Sequence, residues 1–243
     1  PSWAAAPEGR LFVHPGPADP ATFAAFARAA ASRYRGEITM WELWNEPNIQ
    51  ASFAPAPDVA KFAAMLRATY PQLKAIDRRN VVITGGTSPT SDTPLSISPQ
   101  TFIEGLYSHG AGSSFDAVGM HPYAGKSYLS ESTPDRWSSR RSIADVSKIM
   151  SSHGQGNKQI WFTEFGASTA PGYQYGVDDA RQAKILGDGI RYLRAIPNAG
   201  PIFIFDFRDV DSRSPNGEFH YGLLRTDFTP KPAMAVVRSL MSS

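Results

Sequence analysis

Short apolar runs alternate along the chain with longer segments whose apolar residues recur at helical spacing. The runs predict five strands, at residues 38–44, 81–84, 115–121, 160–166 and 202–207. The longer segments predict helices at residues 20–34, 58–76, 99–108, 134–153, 178–195 and 232–241. Apolar strands that alternate with helices are typical of a parallel sheet covered by helices.

Two parallel architectures fit this alternation. A doubly wound sheet that binds a nucleotide would need a glycine-rich phosphate loop, but Gly85-Gly86 lacks the required GxGxxG spacing. A barrel places its chemistry at the carboxyl ends of its strands. Polar side chains follow each of the five predicted strands, so the pattern favours an α/β fold of the TIM (β/α)8 barrel class.

The number of strands is too small for a closed barrel. Eight strand-helix units are needed, whereas residues 38–243 supply five and the residues before them supply only a loop and a helix. We therefore expect residues 1–243 to form a single catalytic barrel domain that holds strands 4 to 8, with the first three units absent. A second fragment, a longer polypeptide or a partner chain would supply them.

Composition excludes several classes of function. The chain carries 24 Lys and Arg against 22 Asp and Glu, so its net charge of +2 gives no electrostatic basis for binding nucleic acid or an anionic membrane. It has no cysteine, which excludes disulfides and thiolate chemistry. No apolar stretch is long enough to predict a membrane span.

Two glutamates are the strongest candidates for chemistry. Glu46 follows the strand at 38–44 beside Asn45, and Glu164 interrupts the apolar run at 160–166. A solvated surface carboxylate and a buried ion pair are the plainer explanations for each residue alone. A barrel would bring both to one mouth, where two facing carboxylates can cleave a glycosidic bond. Glu42 shares the strand parity of Glu46, so we expect it to be buried beside a cation.

A histidine and several aromatic residues complete the predicted site. His121 and Tyr123 end the strand at 115–121, and the Tyr123 hydroxyl could donate to Glu164 and keep it ionised. Tyr173 lies in a predicted loop and Trp137 where a loop meets the predicted helix at 134–153. Both should lie at strand ends, where aromatic rings suit the apolar face of a sugar, although packing is the commoner role. The other histidines show no metal-ligand spacing, so we predict no metal and no cofactor.

Four motifs in order resemble glycoside hydrolase clan A, the cellulase superfamily, and are most similar to its bacterial family 39-like hydrolases. The motifs are "WELWNEPN" at 41–48, "HPY" at 121–123, "TEFG" at 163–166 and "GLLRTDFTPKPAMAV" at 222–236. The resemblance implies a retaining double displacement at β-type bonds of a poly- or oligosaccharide. Glu46 would be the general acid/base, Glu164 the nucleophile, Asn45 a ligand of the sugar 2-hydroxyl and Tyr123 a partner of Glu164.

Two departures accompany this resemblance. Many clan members place a tryptophan at the end of the eighth strand, where this chain has "FDFRD" at 205–209. The arginine that the family usually carries on an early strand is not in this chain. The alternative is a carbohydrate-binding barrel that keeps the glutamate pair without turnover. A secreted or cell-envelope location is expected, with a carbohydrate as partner and no nucleic acid; the sugar, the linkage and endo or exo action stay open.

Overall fold

The computed structural model describes residues 14–131 and 138–241. Within those residues the strands are β1 (Met40–Asn45), β2 (Val81–Gly86), β3 (Ala117–Met120), β4 (Gln159–Phe165) and β5 (Ala199–Ile204). The α-helices are α1 (Pro20–Arg33), α2 (Val59–Ile76), α3 (Pro99–Ser108), α4 (Ser139–Ser152), α5 (Asp179–Arg194) and α6 (Pro232–Met241). The predicted alternation of strands and helices is confirmed.

Aspartate side chains fix where several helices begin. Asp19, Asp58 and Asp178 each accept a hydrogen bond from a backbone N–H in the first turn of α1, α2 and α5, at 2.9, 2.9 and 2.7 Å. Such a cap satisfies a donor that has no partner inside the helix. The capped starts lie within a residue of those expected from the sequence.

The chain divides into two compact units. The first comprises Pro1–Met120 with Ser142–Trp161, and the second comprises His121–Arg141 with Phe162–Ser243. In the first unit the strand order is β1-β2-β3, followed by the opening residues of β4. The β1-β2 and β2-β3 pairs are parallel, with Glu42 opposite Ile83 and Ile83 opposite Ala117. In the second unit the rest of β4 lies beside β5.

A row of aromatic rings fills the core of the first unit. Phe23, Trp44, Phe53, Phe62 and Phe102 follow one another with ring centroids 5.5–6.2 Å apart, three of the four contacts being edge-on. Phe53, Phe62 and Phe102 are at most 1% exposed. Because the row joins α1, β1, α2 and α3, it fixes the helices against the first strand of the sheet.

The second unit buries one face of α5. Leu186, Ile190 and Leu193 are 0–5% exposed, at the spacing of an amphipathic helix. Gln182 on this helix donates to the backbone carbonyl of Ala167 at 2.9 Å, which attaches α5 to the loop after β4. None of the described helices combines the length and the apolar character needed to cross a bilayer.

The last strand ends earlier than the sequence predicts. We expected residues 202–207, but β5 spans Ala199–Ile204. Phe205 still donates to the carbonyl of Phe165, whereas the next residues bond to the segment at 221–224, beginning with Asp206 N–H to the Tyr221 carbonyl at 3.1 Å. The backbone therefore leaves the sheet at Asp206 because a distant segment takes over its hydrogen bonds.

Candidate active site

Asn45 and Glu46 stand at the carboxyl end of β1. Asn45 is exposed and Glu46 is half-buried. The Glu46 N–H donates to the carbonyl of Gly86 at 3.0 Å, so pairing with β2 continues to this residue. Glu46 has φ +42°, in the left-handed region, where a residue with a side chain is held only by its surroundings.

Trp44 shares this strained backbone and is held from three directions. Its φ is +77°. Its ring packs on Phe23 and Phe53, with both centroid distances 5.7 Å, and its indole Nε1 donates to the Ser52 carbonyl at 2.7 Å. The left-handed conformation costs about 1–2 kcal/mol in a residue of this type. The packed ring and the partly buried hydrogen bond offset that cost, and they fix the direction in which the next two side chains leave the strand.

Asn48 ties the loop after β1 to the loop after β2, a role that the sequence analysis missed. Its side chain is fully buried. The amide nitrogen donates to the carbonyls of Ser88 and Ile97 at 2.9 and 2.8 Å, and the amide oxygen accepts from the Ser88 N–H at 2.9 Å. Asn48 therefore holds the backbone two residues after Glu46. The only available signal was its place in the motif at 41–48.

The prediction that Glu42 is buried is wrong. The residue is exposed, and its Oε1 accepts a hydrogen bond from the Gly86 N–H at 2.8 Å. Glu42 and the buried Leu43 do point to opposite faces of the sheet, as strand parity predicts. Burial of the face that carries Glu42 would need further strands beside the edge of β1.

Glu164 lies near the end of β4 in the second unit, with a hydroxyl and an imidazole directed at one oxygen. The Tyr123 hydroxyl donates to Oε2 at 2.8 Å, the contact that we expected from the sequence. Nδ1 of His121 lies 3.6 Å from the same oxygen, beyond hydrogen-bond length. The Glu164 side chain is 27% exposed and that of His121 only 1%. The carboxylate thus combines an ordered donor with access to solvent.

The aromatic rings of Tyr123, Tyr221 and Phe205 pack against one another. Tyr123 contacts Tyr221 and Phe205 with centroids 5.7 and 6.5 Å apart, and those two rings are 5.5 Å apart. Tyr221 was not predicted, because a lone tyrosine in a polar loop gives no sequence signal.

Tyr173 is held by the loop at 217–221. Its hydroxyl donates to Glu218 at 2.9 Å. Burial, and secondarily Glu218, raises the pKa of the Tyr173 hydroxyl to about 12, while a hydrogen bond with Tyr221 acts in the opposite sense. The group therefore stays protonated across the physiological range. Trp137, the other predicted ring, lies outside the described residues.

The described residues supply carboxylate chemistry. Among the described residues, 14–131 and 138–241, no group of three or more His, Asp or Glu side chains is placed to hold a metal ion. A carboxylate that accepts one hydroxyl hydrogen bond and keeps solvent access suits a nucleophile, since the bond favours its ionised form. A half-buried carboxyl beside an exposed amide suits proton transfer next to a hydroxyl-binding group.

The chain matches a protein-family model. The model described as cellulase (glycosyl hydrolase family 5) matches residues 14–200. A search of curated proteins finds no match.

Solved glycoside hydrolases share the fold. A family 39 glycoside hydrolase from the gut symbiont Bacteroides cellulosilyticus WH2 is 26% identical, with a TM-score of 0.71 over 93% of this chain and 46% of its own. A monomeric beta-xylosidase from Caulobacter crescentus CB15 is 19% identical, with a TM-score of 0.66 over 92% of this chain and 46% of its own. A family 128 endo-beta-1,3-glucanase from Sorangium cellulosum is 20% identical, with a TM-score of 0.59 over 88% of this chain and 74% of its own. The chain therefore spans about half the length of the first two, at 46%.

The parallel strands and these neighbours define the fold as the (β/α)8 barrel of clan A glycoside hydrolases, of which this chain holds strands four to eight. Because the family model covers most of its residues, the chain belongs to the cellulase family, glycosyl hydrolase family 5.

Removal of the Tyr123 hydroxyl should change how kcat/KM depends on pH. Tyr123→Phe removes the hydrogen bond to Glu164 Oε2, and loss of a donor to a carboxylate raises its pKa. When a carboxylate must be ionised to act, activity is lost as the pH falls through its pKa. The acid limb of kcat/KM should therefore move to higher pH by about one unit, on the scale of one hydrogen bond to a charged group. A pH–rate profile of the variant measures it, and an unmoved limb would exclude the Tyr123 bond as a control on Glu164.

Proposed function

We propose that the chain carries the catalytic glutamates of a retaining glycoside hydrolase, which cleaves β-glycosidic bonds in a poly- or oligosaccharide by double displacement. The observation that supports this most is the hydrogen bond from Tyr123 to Glu164 in a chain of the cellulase family. The beta-xylosidase and the endo-beta-1,3-glucanase among the structural neighbours act on such bonds by their names.

Each proposed residue has a defined step. Glu164 attacks the anomeric carbon as the glycosidic bond breaks, and Glu46 gives its proton to the departing oxygen. Glu46 then takes a proton from water, which attacks the same carbon and releases Glu164. Asn45 would hold the sugar 2-hydroxyl beside Glu46. His121, Trp137 and Tyr173 remain proposed substrate-site residues.

The stereochemistry of the product tests this mechanism. Retention requires the two carboxyl groups to lie about 5–5.5 Å apart, whereas inversion requires about 6.5–9.5 Å. Hydrolysis of a β-linked substrate, followed by proton NMR before mutarotation, should give the β-anomer first. The α-anomer as first product would contradict the proposed mechanism, and the absence of turnover on polysaccharides and aryl glycosides would favour the carbohydrate-binding alternative.

Substitution of the glutamates separates their roles. Glu164→Gln should abolish formation of the glycosyl-enzyme on every substrate. Glu46→Gln should slow natural substrates by about 10²–10⁴-fold but retain bond cleavage for aryl glycosides whose leaving group needs no proton. Steady-state rates on one natural and one activated substrate measure this. Equal losses on both substrates in the Glu46 variant would count against its role as an acid.

We also propose that further strand-helix units pair with the free edge of β1. No described residue forms a strand on that edge, where Ile38 and Met40 are 40% and 56% exposed. In the second unit Phe203 on β5 is 48% exposed. Parallel sheets bury both faces and closure needs eight strands, so three units supplied by the same polypeptide or a second fragment would cover these side chains.

Intact-mass measurement and size-exclusion chromatography of active material test this proposal. A polypeptide or a pair of fragments larger than 26.4 kDa should carry the activity. An active, folded monomer of 26.4 kDa would show that the barrel site needs no added units.

A further inference from the structure

A fully buried ion pair lies in the second unit, outside the residues assigned above. Lys231, just before α6, and Asp209, after β5, have side chains that are each 1% exposed, and Nζ lies 2.7 Å from Oδ1. The same Nζ donates to Thr169 Oγ1 at 2.8 Å and to the His220 carbonyl at 3.0 Å. The ammonium thus has one acceptor for each of its three protons.

Asp209 is equally well satisfied. Its Oδ1 also accepts from the Gly222 N–H at 2.9 Å, and its Oδ2 accepts from the Ser212 hydroxyl at 2.8 Å. The backbones at these points touch, because a Cβ added to Gly222 would lie 2.1 Å from the nitrogen of Asp209. Through these hydrogen bonds the pair fixes the position of the His220 carbonyl and of the Gly222 N–H.

Stability is a weak explanation for this arrangement. Removing two charges from water is costly, and well-packed apolar residues in place of a buried pair are often neutral or stabilising. Burial lowers the pKa of Lys231 against the opposing effect of Asp209, which reflects the same cost. Such pairs can instead impose one specific arrangement on the segments that they join.

The residue between the two fixed points is Tyr221. Its ring lies against Tyr123 and Phe205, with centroids 5.7 and 5.5 Å away. Its own carbonyl accepts from the Asp206 N–H at 3.1 Å. Tyr123 in turn donates to Glu164 at 2.8 Å. A continuous path of contacts thus leads from the ion pair to the carboxylate.

We infer that Lys231 and Asp209 are positioning residues, which hold the Tyr221 ring so that the Tyr123 hydroxyl stays aligned on Glu164. The pair touches no reacting atom, and it acts through the backbone of His220 and Gly222. The kinetic part of this inference rests on the proposed function. A role confined to fold stability is the competing explanation.

The test uses the complete enzyme and the double variant Asp209→Asn/Lys231→Met, which removes both charges and keeps an acceptor for Gly222. Misaligned Tyr123 should move the acid limb of kcat/KM to higher pH, at least half as far as Tyr123→Phe does. The triple variant should show the same acid limb as Tyr123→Phe alone, because both changes act on the same hydrogen bond. His121, whose Nδ1 lies 3.6 Å from Glu164 Oε2, is unchanged in all variants.

A second variant keeps the test valid if the double variant does not fold. Tyr221→Leu leaves the ion pair intact and should produce the same shift of the acid limb. Lys74→Met is the matched control, since it breaks the Lys74–Asp116 ion pair of the first unit at 2.7 Å. It should lower the midpoint of thermal unfolding and leave the acid limb in place.

A measurement without turnover separates this inference from the proposed function. Titration of ¹³C-carboxyl-labelled glutamates, with Glu164 assigned by its loss in Glu164→Gln, reports the Glu164 pKa directly. An elevated pKa in both the double variant and Tyr221→Leu supports positioning even in a protein that hydrolyses nothing. An unchanged Glu164 titration in both variants, or full additivity with Tyr123→Phe, would overturn it and leave the pair a stabilising contact.

Discussion

The hydrogen bond from Tyr123 to Glu164 is the interaction around which the second unit is organised. A carboxylate at the end of an apolar strand loses hydration, and a neutral hydroxyl donor restores part of it without adding a charge. The bond requires the loop after β3 to reach β4, and the Ser139 hydroxyl, which donates to the Tyr123 carbonyl at 2.6 Å, attaches that loop to the start of α4. The adjoining rings of Phe205 and Tyr221 then restrict the Tyr123 ring.

The sequence was a good guide wherever structure is locally determined. Helix starts were predictable because Asp19, Asp58 and Asp178 precede their helices as caps. Strand ends were harder to predict, because pairing partners decide them. β5 reads as apolar through Phe207, yet hydrogen bonds to residues 221–224 end it at Ile204. The predicted burial of Glu42 failed for a related reason, since burial depends on strands that must lie beside that edge.

Within the candidate site, motif residues were predictable and their supports were not. Tyr123 and Glu164 were identified as partners from strand ends alone, and the structure shows their contact. Asn48, Lys231 and Asp209 gave no separate signal, because a buried polar residue and a solvated one look alike in a sequence. What distinguishes Lys231 is three acceptors drawn from residues 169, 209 and 220, and such convergence exists only after folding.

The two candidate glutamates are supported by different physical means. Glu46 follows a strained segment, in which positive φ at Trp44 and Glu46 is maintained by aromatic packing and by backbone bonds to β2. Glu164 belongs to a strand whose neighbouring loops are fixed by side-chain hydrogen bonds and a buried ion pair. The packing around Trp44 fixes the direction in which the Glu46 side chain leaves β1. Ordered polar contacts favour a group that must remain ionised. The ordered contacts of Glu164 therefore support the nucleophile role that is proposed for it.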